Sequence, residues 1–183
     1  MASPSTASED NKLLASLSLA MVERPRATLQ ELASAVGVSK ATLYRFCKTR
    51  EQLVERLLSH GTALITHAIE VTQLHTSPPL EALRRLIATH LEHREVATFL
   101  MYYWKDASTP PTADAEWEVA LDNFFLRGQE EGVFRIDMPA PVLTELWATI
   151  FMGLVDGERR GRIARSGLAS LIERAFLQGA AHK

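Results

Sequence analysis

Apolar residues return every three or four positions along most of this chain, and no run of alternating apolar and polar residues marks a β-strand. The pattern predicts an all-α fold. Leu13, Leu14, Leu17 and Met21 define one face of a helix over about 9–23, which Arg24 and Pro25 end. Thr28 stands where an N-cap belongs, Glu31 completes a capping box, and Gly37 stops this short second helix after Val36. Ser39 caps a third helix that carries Leu43 and ends near Cys47. Thr49 opens a long fourth one through Leu53, Leu57, Leu58, Leu64, Ile65 and Ile69 to about Thr72. Beyond Ser77, Pro78 and Pro79, helices are expected at about 80–93, 95–106 and 112–131, the last two parted by Ser108, Thr109, Pro110 and Pro111. Pro139 and Pro141 introduce another helix, over about 141–156, in which Leu143, Leu146, Trp147, Ile150, Phe151, Leu154 and Val155 recur at helical steps. A final helix, about 167–178, repeats the pattern with Leu168, Leu171, Ile172, Ala175 and Phe176, and the wide apolar stripes of these last two helices, Phe176 included, are expected to pair with their copies across a two-fold axis as a four-helix interface. No repeat with a period of 20 to 50 residues is present, which argues against a solenoid.

The stretch 28–53, TLQELASAVGVSKATLYRFCKTREQL, meets the demands of two short helices crossing steeply. Ala33 supplies the small contact, Gly37 the turn residue free to take positive φ, and Leu32, Val36, Val38, Leu43 and Phe46 the inward positions. Lys40, Ala41, Thr42, Tyr44, Arg45 and Lys48 are then left on the outer face or ends of the third helix. That set suits a DNA major groove. Lys and Arg neutralise phosphates, Thr and Tyr hydroxyls bond phosphate oxygens, and the helix N-terminus at Ser39 adds backbone donors and partial positive charge. Near that N-terminus, Lys40 or Arg45 can reach guanine O6 and N7, and Ala41 a thymine methyl.

Net charge sharpens this picture only when read along the chain. The total of −2 argues against a nucleic-acid binder, yet 39–50 holds Lys40, Arg45, Lys48 and Arg50 with no acid, whereas 61–183 holds 16 acidic against 12 basic residues. A basic patch on an acidic body results. The 46% hydrophobic content is enough for a substantial core. The first twelve residues lack a secretory pattern, and the most apolar run, 146–155, falls short of the roughly 18 residues a membrane span needs. A cytoplasmic protein without membrane association is expected. The single Cys47 excludes an intramolecular disulfide and any multi-cysteine metal site.

VGVSKATLYRF followed by CKTREQL resembles the N-terminal domain of the TetR family of repressors, over roughly residues 10–58. The resemblance implies that Thr28, Thr42, Tyr44 and Arg50 contact backbone phosphates and that Lys40, Ala41 and Arg45 face bases. It implies a DNA-binding domain over 1–55 and a helical effector-binding and dimerisation domain over 56–183. The implied protein is a homodimer that binds a palindromic double-stranded operator, represses, and responds to a small molecule. The sequence departs from the family pattern at Phe46 and Cys47, where Cys47 is expected to fill a core position usually held by an aromatic residue. EGVFRIDMPAPVL, over 131–143, resembles the turn before the last two helices of such regulators.

Aromatic residues concentrate in the body: FLMYYW at 99–104, then Trp117, Phe124, Phe125, Trp147 and Phe151. They serve either as plain core or, as the family's effector pocket implies, as ligand contacts, with Tyr102, Tyr103, Trp104, Trp117, Trp147 and Phe151 the candidates for an apolar or aromatic effector. His90 and His93, three apart, together with His67, raise a metal site, but without a cysteine cluster or carboxylate set ordinary histidines are expected and no metal. Two other classes stay open: a helical protein-interaction adaptor and a small enzyme with a helix-turn-helix head. The enzyme has little support, since the chain carries neither a glycine-rich phosphate loop nor a nucleophile elbow, and no cofactor is expected.

Overall fold

Among the residues that the computed structural model describes, 4–104 and 114–180, every regular element is an α-helix. In order they are α1 (Pro4–Glu23), α2 (Leu29–Ala35), α3 (Lys40–Phe46), α4 (Arg50–Thr72), α5 (Pro79–Glu92), α6 (Arg94–Trp104), α7 (Asp114–Glu130), α8 (Ala140–Arg159) and α9 (Leu168–Ala180). The all-α expectation is met. The helix α1 starts five residues earlier than the apolar stripe indicates. Pro4 suits a first helical position, having no N–H to leave unpaired, and the stripe that betrays the helix begins only at Leu13. None of the described helices is long and apolar enough to cross a membrane.

The chain packs as two units, and the division falls inside α4, between Ala63 and Leu64. The first unit takes α1–α3, the beginning of α4, and α6; the second takes the rest of α4, α5 and α7–α9. The packing division within α4 falls later in the chain than the 55/56 boundary that the resemblance implies, and α6 joins the first unit by packing along α1.

In the first unit, Leu17 and Met21 of α1, Leu32 and Ala33 of α2, Leu43 of α3, and Leu53 and Leu57 of α4 are all buried. Each large side chain among them contributes about 1.5–3 kcal/mol on leaving water. Val96, Phe99 and Leu100 complete this core from α6. Gly61 is where α4 comes closest to α6, since a β-carbon there would lie 2.7 Å from the Leu100 side chain. Thr49 caps α4, accepting the Gln52 N–H on its hydroxyl at 3.2 Å.

In the second unit the interior is aromatic. Phe125 lies 5.0 Å from Phe124, 5.3 Å from Phe134 and 5.4 Å from Phe176 between ring centroids. Trp147 lies 5.7 Å from Phe176 and 5.6 Å from Phe151. Arg127 of α7 donates to the Leu74 and Ser77 carbonyls, both at 2.7 Å, and so ties the α4–α5 turn to the body. The Arg135 backbone N–H donates to the Ala180 carbonyl at 2.9 Å and anchors the turn before α8 to the end of α9. Pro139 and Pro141 flank Ala140 at the start of α8, where prolines cost no helical hydrogen bond.

One expectation about α9 is corrected. Phe176 reads in the sequence as part of a face that pairs with a second chain, but it is only 1% exposed and packs against Phe125, Phe134 and Trp147. The apolar residues that α8 and α9 leave half-buried include instead Leu146, Ile150 and Leu154 on one helix and Leu171 and Ala175 on the other.

Candidate nucleic-acid interface

The geometry of the α2–α3 pair follows from two caps and one glycine. Thr28 and Glu31 form the full capping box: the Glu31 N–H donates to the Thr28 hydroxyl at 3.3 Å, and the Thr28 N–H reaches the Glu31 carboxylate at 2.7 Å. The Thr28 hydroxyl also donates to that carboxylate, at 2.8 Å. The Thr28 backbone N–H and then its hydroxyl hold the Glu31 carboxyl below its ordinary value, because both bonds favour the charged form. Both donors of Thr28 are thus spent within the box. Gly37 takes φ +73°, which lets the chain reverse, and the Val38 N–H closes the turn onto the Ala33 carbonyl at 3.0 Å. Buried Ala33 and Leu43 sit where the two helices meet.

Ser39 caps α3 by accepting the Thr42 N–H at 3.0 Å. The two hydroxyls also share a bond of 2.8 Å. One of them must donate to the other, so one O–H of the pair remains to face outward, at the end of α3 where the helix carries partial positive charge. Lys40, Ala41, Tyr44 and Arg45 are exposed and share one side of α3, and Lys48 is exposed just past its end. Tyr44, 40% exposed, lies with its ring 5.4 Å from the Lys40 ammonium, which also donates to Gln30 of α2 at 3.2 Å. This contact lines up a cation and a phenol on one ridge. Affinity for a polyanion follows from the charges, and the ridge of a single α-helix matches the width of a major groove.

Two residues, Phe46 and Arg50, sit otherwise than the sequence reading has them, while Cys47 sits as expected. Phe46 is half-buried rather than inward, with the Arg56 guanidinium 4.6 Å above its ring. Cys47 does occupy a core position, 3% exposed, and burial pushes its thiol above the ordinary value against the opposing charge of Arg56. It packs as a small apolar group. Arg50, expected at a phosphate, is half-buried and donates through Nη2 to the Pro25 carbonyl at 2.6 Å and to the Tyr103 hydroxyl at 2.9 Å. Sequence reading also missed Arg24 and Arg26, exposed on the turn between α1 and α2. The signal was present in RPRAT at 24–28, read only as a helix end.

The candidate ligand residues fall in two groups. On α6, Tyr102 is 53% exposed and lines a cleft of about 610 Å³ with Arg24, Pro25, Arg26, Ala27 and Glu31, all within the first unit. Tyr103 is half-buried, its ring 4.5 Å from Phe99; the Trp104 side chain lies outside the described residues. In the second unit Trp117 is half-buried, and Trp147 and Phe151 are each 2% exposed. His90 meets both of the latter edge-on, at 6.4 and 5.5 Å, and its Nδ1 bonds the Leu86 carbonyl at 2.9 Å. Among the described residues no group of three His, Cys, Asp or Glu side chains is placed to hold a metal ion.

Residues 25–57 match the family model for bacterial regulatory proteins of the tetR family. Over 179 residues, 96% of each chain, the sequence is 51% identical to the HTH-type transcriptional regulator NfxB of Pseudomonas aeruginosa. It is 31% identical over 84 residues, 46% of this chain and 44% of the other, to the HTH-type transcriptional repressor LfrR of Mycolicibacterium smegmatis. The crystal structure of LfrR in complex with proflavine superposes with a TM-score of 0.70 at 22% identity, covering 94% of this chain and 97% of that one. The MbdR regulator from Azoarcus sp. CIB superposes with a TM-score of 0.71 at 20% identity, covering 94% and 98%. At those identities the two superpositions speak for the fold.

Proposed function

The chain belongs to the TetR family of transcriptional regulators, and from that premise we propose that it is a homodimeric repressor that grips a palindromic operator and releases it on binding a small ligand. The observation that carries the DNA-binding half is the outer side of α3, where Lys40, Ala41, Tyr44, Arg45 and Lys48 stand exposed while Leu43 beneath them is fully buried. Lys40, Ala41 and Arg45 are assigned to base edges. Ser39, Thr42, Tyr44 and Lys48 are assigned to phosphates, with Arg24 and Arg26 added from the neighbouring turn. Thr28, its donors held by Glu31, is assigned to setting the start of α2.

Two heads on one duplex face must sit about one helical turn, roughly 34 Å, apart, so the reading requires a second copy. Support for it lies on α8 and α9. Leu146, Ile150 and Leu154 follow one another at helical steps and remain half-buried, and Gly153 among them has open space where a β-carbon would stand. Leu171 and Ala175 offer a matching stripe on α9. Four such helices, two from each chain, make an isologous interface.

The effector is read as apolar or aromatic, from the aromatic content of the body and from the proflavine seen in the LfrR crystal. Candidate contacts remain Tyr102, Tyr103 and Trp104 on α6 and Trp117, Trp147 and Phe151 beyond it, with 56–183 as the effector-binding and dimerisation part. For release, the ligand must prefer the DNA-incompetent state, and a tenfold preference corresponds to about 1.4 kcal/mol. The test is a mobility shift with a palindromic fragment from upstream of the protein's own gene, with and without compounds that raise its melting temperature. Failure to retard the fragment defeats the operator reading. Compounds that stabilise the protein without ever releasing the fragment defeat the sensing reading alone.

A further inference from the structure

Of the four cations between 39 and 50, Arg50 alone is turned away from the exposed ridge. Its Nη2 donates at once to the Pro25 carbonyl, 2.6 Å away on the turn between α1 and α2, and to the Tyr103 hydroxyl, 2.9 Å away on α6. Tyr103 is itself held, its ring 4.5 Å from that of Phe99, a fully buried residue, and 5.6 Å from that of Tyr102. Arg50, Pro25 and Tyr103 all lie in the first unit. Within the turn's own backbone, the Arg24 N–H donates to the Ala20 carbonyl of α1 and the Ala27 N–H to the Arg24 carbonyl, both local bonds. Arg50 joins it to α4 and α6.

Pro25 stands three residues before Thr28, where α2 begins, and α2 carries α3 through buried Ala33 and the Gly37 turn. The position of Pro25 therefore sets where the recognition helix starts relative to α4 and α6. We propose that Arg50 is a positioning residue and not a phosphate ligand: together with the phenol of Tyr103 it holds the α1–α2 turn in the register that DNA binding requires. A hydrogen bond with one charged partner is the stronger kind, and a guanidinium is suited to two acceptors at once because its donors are fixed in a plane. The inference rests on the DNA-binding reading above.

A phosphate ligand and a positioning residue separate by how salt acts. Removing a phosphate contact flattens the dependence of log affinity on log salt by about one unit per contact, whereas misplacing a head lowers affinity without that signature. Operator affinity of the full chain is measured by fluorescence anisotropy over a salt series for the unmutated protein, Tyr103→Phe, Arg50→Ala, the double variant, and Lys48→Ala as the phosphate-contact control. Tyr103→Phe, which deletes one oxygen and keeps the ring packed on Phe99, is expected to weaken binding by about fivefold with an unchanged slope. Arg50→Ala should do at least as much, also with an unchanged slope, and the double variant should be no weaker than Arg50→Ala, since both remove one connection. Lys48→Ala should flatten the slope. A flattened slope for Arg50→Ala beside unchanged affinity for Tyr103→Phe overturns the proposal, as does a double variant whose losses add.

A second measurement does not depend on DNA. Amide hydrogen exchange in Tyr103→Phe is expected to speed up at Ala27 and Thr28 while α7–α9 keep their protection. Unchanged exchange there also overturns the proposal. Should the unmutated protein fail to bind any fragment in a salt-dependent way, the operator reading falls, and hydrogen exchange alone decides whether Arg50 and Tyr103 hold the turn.

Discussion

The ridge of α3 and the interior of the second unit draw on the same residue type to opposite ends. Tyr44 stands 40% exposed beside Lys40, while Phe125, Phe134, Trp147 and Phe176 are at most 2% exposed among one another. The difference lies in what covers them, for α3 is a seven-residue helix that can bury only one side against α2, whereas α8 and α9 are packed by α5 and α7 as well as by each other. An aromatic residue on a lone ridge is offered to a partner. The same residue inside a bundle is structure.

The sharpest way to break this comparison is at Phe176. Phe176→Asp puts a charge among three aromatic rings and is expected to abolish the fold of the second unit; Phe176→Ala should cost about 3–5 kcal/mol in urea denaturation. A loss below about 1 kcal/mol for Phe176→Ala would mean that Phe176 faces outward after all. One residue away the outcome reverses. Ala175→Glu, on the half-buried stripe, should leave the fold standing but halve the native mass seen by light scattering. An unmutated protein that already has the mass of one chain would refute the dimer.

Smaller effects are expected on the recognition side. Ser39→Ala removes the cap of α3 and should cost about 0.5–2 kcal/mol of stability, measurable as a shifted denaturation midpoint. The smallest effect is a pH dependence. Thr28 lowers the pKa of Glu31 in the folded state, so the capping box contributes its stability above the ordinary carboxylate range and loses it as pH falls through the lowered folded value. Glu31→Gln should therefore make the acid limb of a stability–pH curve shallower while changing little at neutral pH. An identical acid limb in both proteins would contradict the assignment.

The helix-turn-helix was legible because its signals are local: Thr28 with Glu31, Ser39 with Thr42, and a glycine at positive φ all lie within a turn or two of what they control. The order and type of the remaining helices were legible from period alone. What period does not carry is which of two apolar sides a neighbour covers: Phe176 and Ala175 are adjacent in one stripe, and only Phe176 belongs to the core. Arg50 escaped for a related reason. Its partners at Pro25 and Tyr103 lie 25 and 53 residues away, and a cation beside Lys48 looks like any other cation until α6 is in place. Tyr103 is in the same position, its hydroxyl accepting from Arg50 of α4 across 53 residues of sequence.

The central claim, that the ridge of α3 is a DNA-binding surface, is tested most directly by titrating the palindromic fragment over a range of salt with the unmutated protein and Tyr44→Ala. A steep linear fall of log affinity with log salt is expected, with Tyr44→Ala losing most of the affinity while its unfolding free energy stays within about 0.5 kcal/mol of the original. A flat salt response, or a Tyr44→Ala protein that binds as tightly as the original, would contradict it.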